Sequence, residues 1–546
     1  MGNTITKKSK SSQNTHVDSL ATPKRLFDIH HMKTVMYADV VDDVKEKGYV
    51  AISHVWGDQN IYTAEELEIK GGVTWEIPLS NQDKISRTKN FMSQYKMKYC
   101  WFDVLCMPQG EHNQWQVNLE IPFMGDYYAG ASIVAVLAAV EPVVSEDFGR
   151  WYYMMNDVAN KERDFTTEER EWIYSHDKVD LLDVAKDKWF TRLWTLQEAV
   201  MAKNLIFACN NGENLNLLDI AAKIGWMTRL GVPQIRMFAG SGRLIADIDI
   251  ARHNRTIKHV DLMQVMRESS MRDCFKPQDK FYGTLGVLGY KNFPVSYDIN
   301  LDDLGKAIVK YAYSKGDISW LAVGENIGSG FIQPMDKPFS YIGWGWREEI
   351  PGICGIRLED DMLQINAWPF AQVVHENIMR SSKARTAGDM YGIFKSWNLD
   401  IKDIITIITG FATMSDDEFE VVEAFLERDI GNHEAIQAVI AKFGPTVTDK
   451  YIGTFGGNIS KTQVGIGGKI TIIKAITQEN RNIPLIVYGD AGIGDQIMLI
   501  RTIDAGNRML GIVVDEYSKR KGVCLYEKIE MTKEEISLFI PQKFLL

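Results

Sequence analysis

The sequence predicts an α/β protein in which a parallel sheet flanked by helices comes first, a helical region follows and a β-rich domain comes last. Three observations predict this class. Strand-length apolar runs at Tyr49–Ser53, Tyr99–Leu105 and Ser132–Ala139 alternate with helical stretches, a pattern that favours parallel pairing. Residues 211 to about 325 show mostly helical patterns. From Tyr451 onward, short β-rich runs alternate with glycine-containing turns.

The chain is expected to form several domains, because 546 residues exceed what one ordinary core accommodates. We predict a flexible tail at residues 1–24 and an α/β domain at residues 25–210. A helical region at 211–330 and a mixed α/β region with a β-rich end at 331–546 complete the chain. The last of these regions shows no chemical signal.

Composition excludes several functional classes. The net charge of -11 argues against nonspecific nucleic-acid binding, which requires a basic surface. The six cysteines include no C-x-x-C pair, which argues against a zinc site. Without a membrane-length apolar run or a secretory signal, the chain is expected to be cytoplasmic.

The N-terminus carries a lipidation pattern. Met1-Gly2-Asn3-Thr4-Ile5-Thr6 fits N-myristoylation with Gly2 as the acceptor. Three lysines within the next four residues supply the basic signal that a single acyl chain needs for stable anchoring. The hypothesis is attachment to a membrane surface through a lipidated N-terminus, and the alternative is an unmodified polar tail.

Polar and small residues follow two predicted strands, and a third polar cluster leads into a predicted helix. The clusters are Ser53 to Asp58, Asp103 to Gln109 and Arg192 to Glu198. In open α/β sheets, ligands bind beyond the carboxyl ends of the strands. The three clusters are therefore expected to meet in one pocket, with Glu198 as its acid.

These segments resemble the heterokaryon-incompatibility (HET) domain. Tyr49 to Gly57 is similar to the family's "YVALSYVWG", Trp101 to Gln109 to its "WVDSLCIDQ", and Trp189 to Glu198 to its "WTLQE" motif. A weaker likeness extends to Cys274 through Gly289, similar to a segment that often follows HET domains. The resemblance implies an effector of self/non-self recognition, innate immunity or regulated cell death.

HET domains in turn resemble TIR domains. Ile52 to Asp58 is similar to the first-strand motif of TIR domains, and Trp194 to Glu198 has the spacing of their "WCLDE" motif. The resemblance implies a TIR-like fold. In enzymatic TIR domains the glutamate of that motif cleaves NAD+ at the nicotinamide bond, and the position that matches it is Glu198. NAD+ is then a substrate, and no cofactor is expected.

Each candidate residue suits this chemistry. A carboxylate stabilises the oxocarbenium-like ribose that forms when the glycosidic bond breaks. Arg192 could pair with the pyrophosphate, and Trp56 or Trp194 could stack on a flat ring. Small residues after the first strand would let the backbone approach phosphate or ribose. The residues proposed to bind NAD+ or a related nucleotide are Ser53, Trp56, Gly57, Asp103, Arg192 and Trp194.

Several alternatives stay open. Glu198 could be a helix residue in an ion pair with Arg192 or a lysine, the tryptophans could be core aromatics, and Asp103 could cap a turn. His54 and Cys106 at neighbouring strand ends would suggest a thiol nucleophile, although no third orienting group is evident. The protein could also be a non-enzymatic module that oligomerises and signals cell death, or a nucleotide-binding sensor. In the enzymatic interpretation a homo-oligomer or a clustering partner completes the site.

Overall fold

The computed structural model describes most of the chain. The described residues are 20–56, 60–139, 143–176, 181–184, 186–209, 214–229, 248, 252, 260–270, 272–323, 346–359, 362–379, 387–408, 416–427, 470–504, 507–529 and 531–545. None of the described helices combines the length and the apolar content needed to cross a bilayer.

Strands and helices alternate through the first half, and strands dominate the end of the chain. The strands are β1 (Arg25–Asp28), β2 (Lys33–Met36), β3 (Val50–His54), β4 (Asn60–Tyr62), β5 (Ile77–Leu79), β6 (Tyr99–Phe102), β7 (Ile133–Leu137), β8 (Val143–Val144), β9 (Leu182–Asp183), β10 (Leu205–Ala208), β11 (Leu215–Asn216), β12 (Arg347–Glu348), β13 (Arg357–Glu359), β14 (Met362–Met379), β15 (Ile470–Thr477), β16 (Asn482–Gly489), β17 (Gln496–Ile503), β18 (Arg508–Val514), β19 (Arg520–Glu527) and β20 (Ile540–Leu545).

The α-helices of the described residues are mostly short. They are α1 (Val41–Lys47), α2 (Asp83–Gln94), α3 (Asp103–Cys106), α4 (Gln114–Glu120), α5 (Met124–Gly130), α6 (Glu146–Asn160), α7 (Thr167–Ser175), α8 (Trp194–Met201), α9 (Leu217–Arg229), α10 (Leu262–Ser270), α11 (Asp279–Tyr282), α12 (Leu285–Leu288), α13 (Leu301–Ser314), α14 (Ala387–Ser396), α15 (Ile401–Ile408), α16 (Asp416–Leu426) and α17 (Lys533–Ile536).

The first sheet has the strand order β11-β10-β7-β3-β6-β1-β2. Its four central strands β10, β7, β3 and β6 are parallel, which confirms the predicted parallel pairing. Strand β3 lies between β6 and β7, and all five of its residues are buried. The edge strands β1, β2 and β11 pair antiparallel and were not predicted as such. The sheet is thus mixed, with a parallel centre.

Proline cannot continue a helix, so Pro122 predicts a kink or a restart in the helix after β6, and the structure confirms it. Helix α4 ends at Glu120, a 3-10 turn covers Ile121–Phe123, and α5 begins at Met124. Proline lacks the amide hydrogen that a continuous helix would require at this position. Helix α5 then packs against α8, so the restart shapes the surroundings of α8.

Helix α8 is held from the other side by residues of the helical region. The backbone amide of Leu193 donates to the carbonyl of Asp273 (3.0 Å), and the amide of Asp273 donates to the carbonyl of Thr191 (2.7 Å). The Gln197 side chain accepts a hydrogen bond from the Gly286 amide at 2.7 Å. The segment similar to the one that follows HET domains therefore packs directly on α8.

The last region forms an antiparallel sheet around the long strand β14. Because β14 pairs with both β15 and β17, the order β14-β17-β18-β19-β16-β15 returns to its first strand. Strands β15 to β19 lie where β-rich runs were predicted. Strand β14 was not predicted, since Pro369 and two register shifts interrupt its pattern. At the start of β19, the buried Arg520 donates to the carbonyls of Leu321 and Val323, which ties this sheet to the helical region.

Candidate functional site

The Glu198 carboxylate lies against the end of the central strand. Ser53, near the end of β3, donates its hydroxyl hydrogen to Glu198 Oε2. The Ser53 oxygen in turn accepts from the indole nitrogen of Trp189 at 2.5 Å. Since that indole can only donate, the Ser53 hydrogen is directed towards Glu198. The side chains of a strand, a 3-10 turn and a helix thus converge on one carboxylate that is 7% exposed.

Burial dominates the electrostatics of this carboxylate. Desolvation raises the pKa of Glu198 to about 7, and the negative charge of Asp103 acts in the same direction. Hydrogen bonds from Ser53 and Tyr128 and the charge of Arg192 lower this pKa but do not cancel the effect of burial. The hydrogen-bond partners of Glu198 among the described residues are hydroxyls, so the ion pair considered above does not form there. A carboxyl that titrates near neutral pH is a candidate for chemistry.

A second carboxylate, Asp103, lies at the end of the neighbouring strand β6. Its Oδ1 is 3.0 Å from His54 Nε2 and accepts from the Val104 amide at 2.7 Å. Its Oδ2 accepts from the indole nitrogen of Trp56 at 2.9 Å. Asp103 is the first residue of α3, and no side chain among the described residues caps this helix, so the predicted turn cap does not form. Asp103 instead binds two side chains from the end of β3 and the residues after it.

Helix α2 extends this network with a buried lysine. Lys84 Nζ lies 3.0 Å from His54 Nδ1 and donates to the carbonyl of Val55 at 2.5 Å. Burial lowers the pKa of Lys84 to about 8. Burial also lowers the pKa of His54, which keeps the ring neutral at physiological pH.

The environment of Asp103 keeps it ionised. Burial acts to raise the pKa of Asp103, but the donors His54, Trp56 and Val104 outweigh burial and lower it. The site therefore holds two carboxyls whose environments move their pKa values in opposite directions. Such pairs are typical of acid–base sites.

Arg192 and Trp194 lie at the junction between α8 and the helical region. The Arg192 guanidinium is half-buried and has no hydrogen-bond or ion-pair partner in the described part of the chain, yet its charge acts on Glu198 and His54. Trp194 is also half-buried, and its side chain hydrogen-bonds Asp279. Asp279 also accepts from the Tyr297 hydroxyl at 2.6 Å and from the Lys276 backbone. Trp194 is thus held by the neighbouring region, whereas Arg192 has no such partner among the described residues.

The structure brings most of the predicted site residues together. Ser53 contacts Glu198, Trp56 contacts Asp103, and Asp103 and Arg192 both act electrostatically on Glu198. Gly57 and the lipidation candidate Gly2 lie outside the described residues. Within the described ranges, no group of three His, Cys, Asp or Glu side chains is arranged to hold a metal ion.

Three contributors were missed from sequence. Trp189 opens a segment matched to a family motif, so attention to its indole nitrogen could have found it. Tyr128 lies on α5, between the matched segments, and hydrogen-bonds Glu198. Lys84 lies on α2, outside the motif segments, so no local pattern in the sequence marks it as a site residue.

His54 and Cys106 do not form a nucleophile pair. Both ring nitrogens of His54 already face Asp103 and Lys84. Cys106 Sγ instead accepts from the Phe102 amide at 3.4 Å, and burial raises the pKa of Cys106 to about 12. A thiol that stays protonated is a poor nucleophile.

Fold and site together define a class: an α/β domain with a buried acid at the carboxyl edge of the parallel centre of a mixed sheet. Residues 49–198 match the family model described as "Heterokaryon incompatibility protein (HET)". Over this part of its length the chain is similar to the HET family. No curated protein and no solved structure matches the chain.

Proposed function

We propose that the protein is an effector of self/non-self recognition or regulated cell death that cleaves NAD+ at the nicotinamide glycosidic bond through a TIR-like site. The observation that supports this proposal is the buried Glu198 carboxyl, which titrates near neutral pH beside the ionised Asp103. Arg192, which has no partner in the part of the chain that the structure describes, supplies a cation whose charge acts on Glu198. Anionic and cationic groups in one site match a ligand that carries both a nicotinamide cation and a pyrophosphate.

The residues suit each step of this cleavage. The bond between ribose C1′ and the nicotinamide nitrogen breaks, and its electron pair neutralises the positive ring. Nicotinamide leaves as a neutral base, so no strong general acid is required. The ionised Glu198 stabilises the oxocarbenium-like ribose. Water then bonds to C1′ and releases its proton, which completes the hydrolysis to ADP-ribose.

Assembly regulates the activity of this site. The site is latent in the isolated chain and becomes active when copies of the protein, or a partner, cluster it. A lipidated Gly2 would place the protein on a membrane surface and raise its local concentration there. Ser53 orients Glu198, while Arg192 and Trp56 bind the pyrophosphate and a flat ring, respectively.

The test is NAD+ consumption by purified full-length protein at rising concentration, with and without a crowding agent. Release of nicotinamide that disappears in a folded Glu198→Gln variant would support the enzyme. The matched control is Glu169→Gln, since Glu169 lies on α7 and pairs with Arg163. The enzymatic function would be contradicted if no turnover occurred under any assembling condition and Glu198→Gln left cell toxicity unchanged.

A non-enzymatic interaction module is the second candidate. The near-complete burial of Glu198 favours it, because a buried carboxyl bonded to Ser53 can also serve packing alone. The toxicity arm of the same experiment separates the two functions. A module that acts by contacts alone keeps its toxicity in the Glu198→Gln variant.

The pH dependence of the reaction is expected to follow Glu198. The ionised form is required, so the rate should rise through a midpoint near pH 7. In Ser53→Ala the midpoint should move to higher pH, because the Ser53 hydrogen bond lowers the pKa of Glu198. Initial rates between pH 5 and about pH 9 measure the midpoint, with the exposed Ser86→Ala as control. An identical midpoint in Ser53→Ala would contradict this assignment.

A further inference from the structure

Asp103 is held by donors from three directions. His54 Nε2 and the Val104 amide reach one carboxylate oxygen, and the Trp56 indole reaches the other. Each carboxylate oxygen can accept two hydrogen bonds, so Oδ2 retains room for a ligand hydroxyl. The Asp103 side chain is 14% exposed, which leaves it reachable from the site.

Lys84 determines how His54 binds Asp103. The Lys84 ammonium group can only donate, so His54 Nδ1 must accept from it across 3.0 Å. The neutral ring then carries its hydrogen on Nε2 and donates it to Asp103. Lys84 contacts one ring nitrogen of His54 and Asp103 contacts the other, and the Asp103 charge acts on Glu198.

We propose that Lys84 and His54 hold the Asp103 carboxylate in place near Glu198, and that the negative charge of Asp103 selects substrates with a cationic aromatic ring over their neutral reduced forms. The inference rests on the proposed function, since it assigns the nicotinamide end of NAD+ to Asp103. Trp56 is bonded to the same carboxylate and is half-buried, so its ring offers a flat surface at this end. Lys84 and His54 act through Asp103 and are positioning residues.

Arg192 gives the complementary prediction. Its guanidinium suits the pyrophosphate, which NAD+ and NADH share. Asp103 suits the charged ring, which only NAD+ carries. Loss of Arg192 should therefore weaken both ligands alike, whereas loss of the Asp103 charge should affect NAD+ alone.

The experiment measures binding of NAD+ and NADH to the full-length Glu198→Gln protein by calorimetry, under the assembling conditions used for the activity assay. This variant avoids turnover during titration. We expect NAD+ to bind about tenfold more tightly than NADH, as one charge interaction in a partly buried site would produce. Adding Asp103→Asn should bring the two affinities within about twofold, and adding Arg192→Gln should weaken both and keep their ratio.

Equal affinities in Glu198→Gln, or a preference that survives Asp103→Asn, would overturn the inference. The amide of Asp103→Asn would face the Trp56 indole hydrogen, so this variant could lose stability. The pair Asp103→Asn/Trp56→Phe removes that conflict, and Trp56→Phe alone should retain the preference for NAD+. A preference for NAD+ in a protein that never releases nicotinamide would uphold this inference while contradicting the proposed enzyme.

Discussion

Glu198→Gln is expected to lower the rate of NAD+ cleavage about a hundred- to a thousandfold, as loss of one charge-stabilising group typically does. The same substitution is expected to raise the free energy of unfolding at pH 8 by on the order of 3 kcal/mol. The two effects have one cause, because the buried carboxylate that would stabilise the transition state is itself costly to ionise in the folded protein. A residue kept at the expense of stability is typical of functional sites.

The sign of this change in the free energy of unfolding follows from the raised pKa of Glu198. Its ordinary value is 4.5, and burial in the folded protein raises it to about 7. The folded state therefore binds the proton more tightly than the unfolded state. The free-energy cost of ionising Glu198 in the folded protein is absent below about pH 4.5. It grows as the pH rises to 7 and is constant above that. The gain in Glu198→Gln should accordingly be large at pH 8 and small at pH 5.

Denaturant unfolding at pH 5 and pH 8 measures the difference in the free energy of unfolding between Glu198→Gln and the wild type at each pH. Glu169→Gln is again the control, with the opposite sign, because its hydrogen bond with Arg163 lowers the pKa of Glu169 to about 2. That control should lose stability at pH 8. If Glu198→Gln were instead less stable than the wild type at pH 8, Glu198 would be a structural residue and its assignment to the site would fail.

Gly286→Ala is expected to destabilise the protein by about 2 to 3 kcal/mol, the upper part of the range for overpacked cores. A Cβ atom at Gly286 would lie 2.6 Å from the backbone of Gly125 and 2.6 Å from Gln197 Oε1. Backbone atoms of two helices cannot move aside as a flexible side chain can. Because Gln197 precedes Glu198, the shift should also reduce NAD+ cleavage.

Gly149→Ala is the matched control for this substitution. Gly149 lies inside α6, and a Cβ atom there would meet nothing within 4 Å. Alanine should therefore stabilise that helix by roughly 0.5 to 1 kcal/mol. Thermal unfolding of the two variants compares them directly. Equal stability of Gly286→Ala and the wild type would show that α12 does not pack on α5 and α8.

Short-range patterns in the sequence predicted the central strands of the first sheet, the helix restart at Pro122 and the strands β15 to β19. These elements depend on apolar periodicity and proline chemistry within a few residues, which the sequence displays directly. The polar ends of β3 and β6 also indicated the carboxyl edge of the sheet. Strands β2 and β11 were missed because they are short, with four and two residues. Strand β14 was missed because its partners β15 and β17 lie far along the chain.

The sequence by itself determined which acid could act, since motif and spacing both indicate Glu198. Only the tertiary structure decided what surrounds that acid: Ser53 lies 145 positions before it in the chain, and Lys84 lies 30 positions after His54. The physical reason is that a pKa depends on burial and on charges nearby in space. Neither quantity is a property of local sequence, so the opposed pKa values of Glu198 and Asp103 emerge only when the chain is folded.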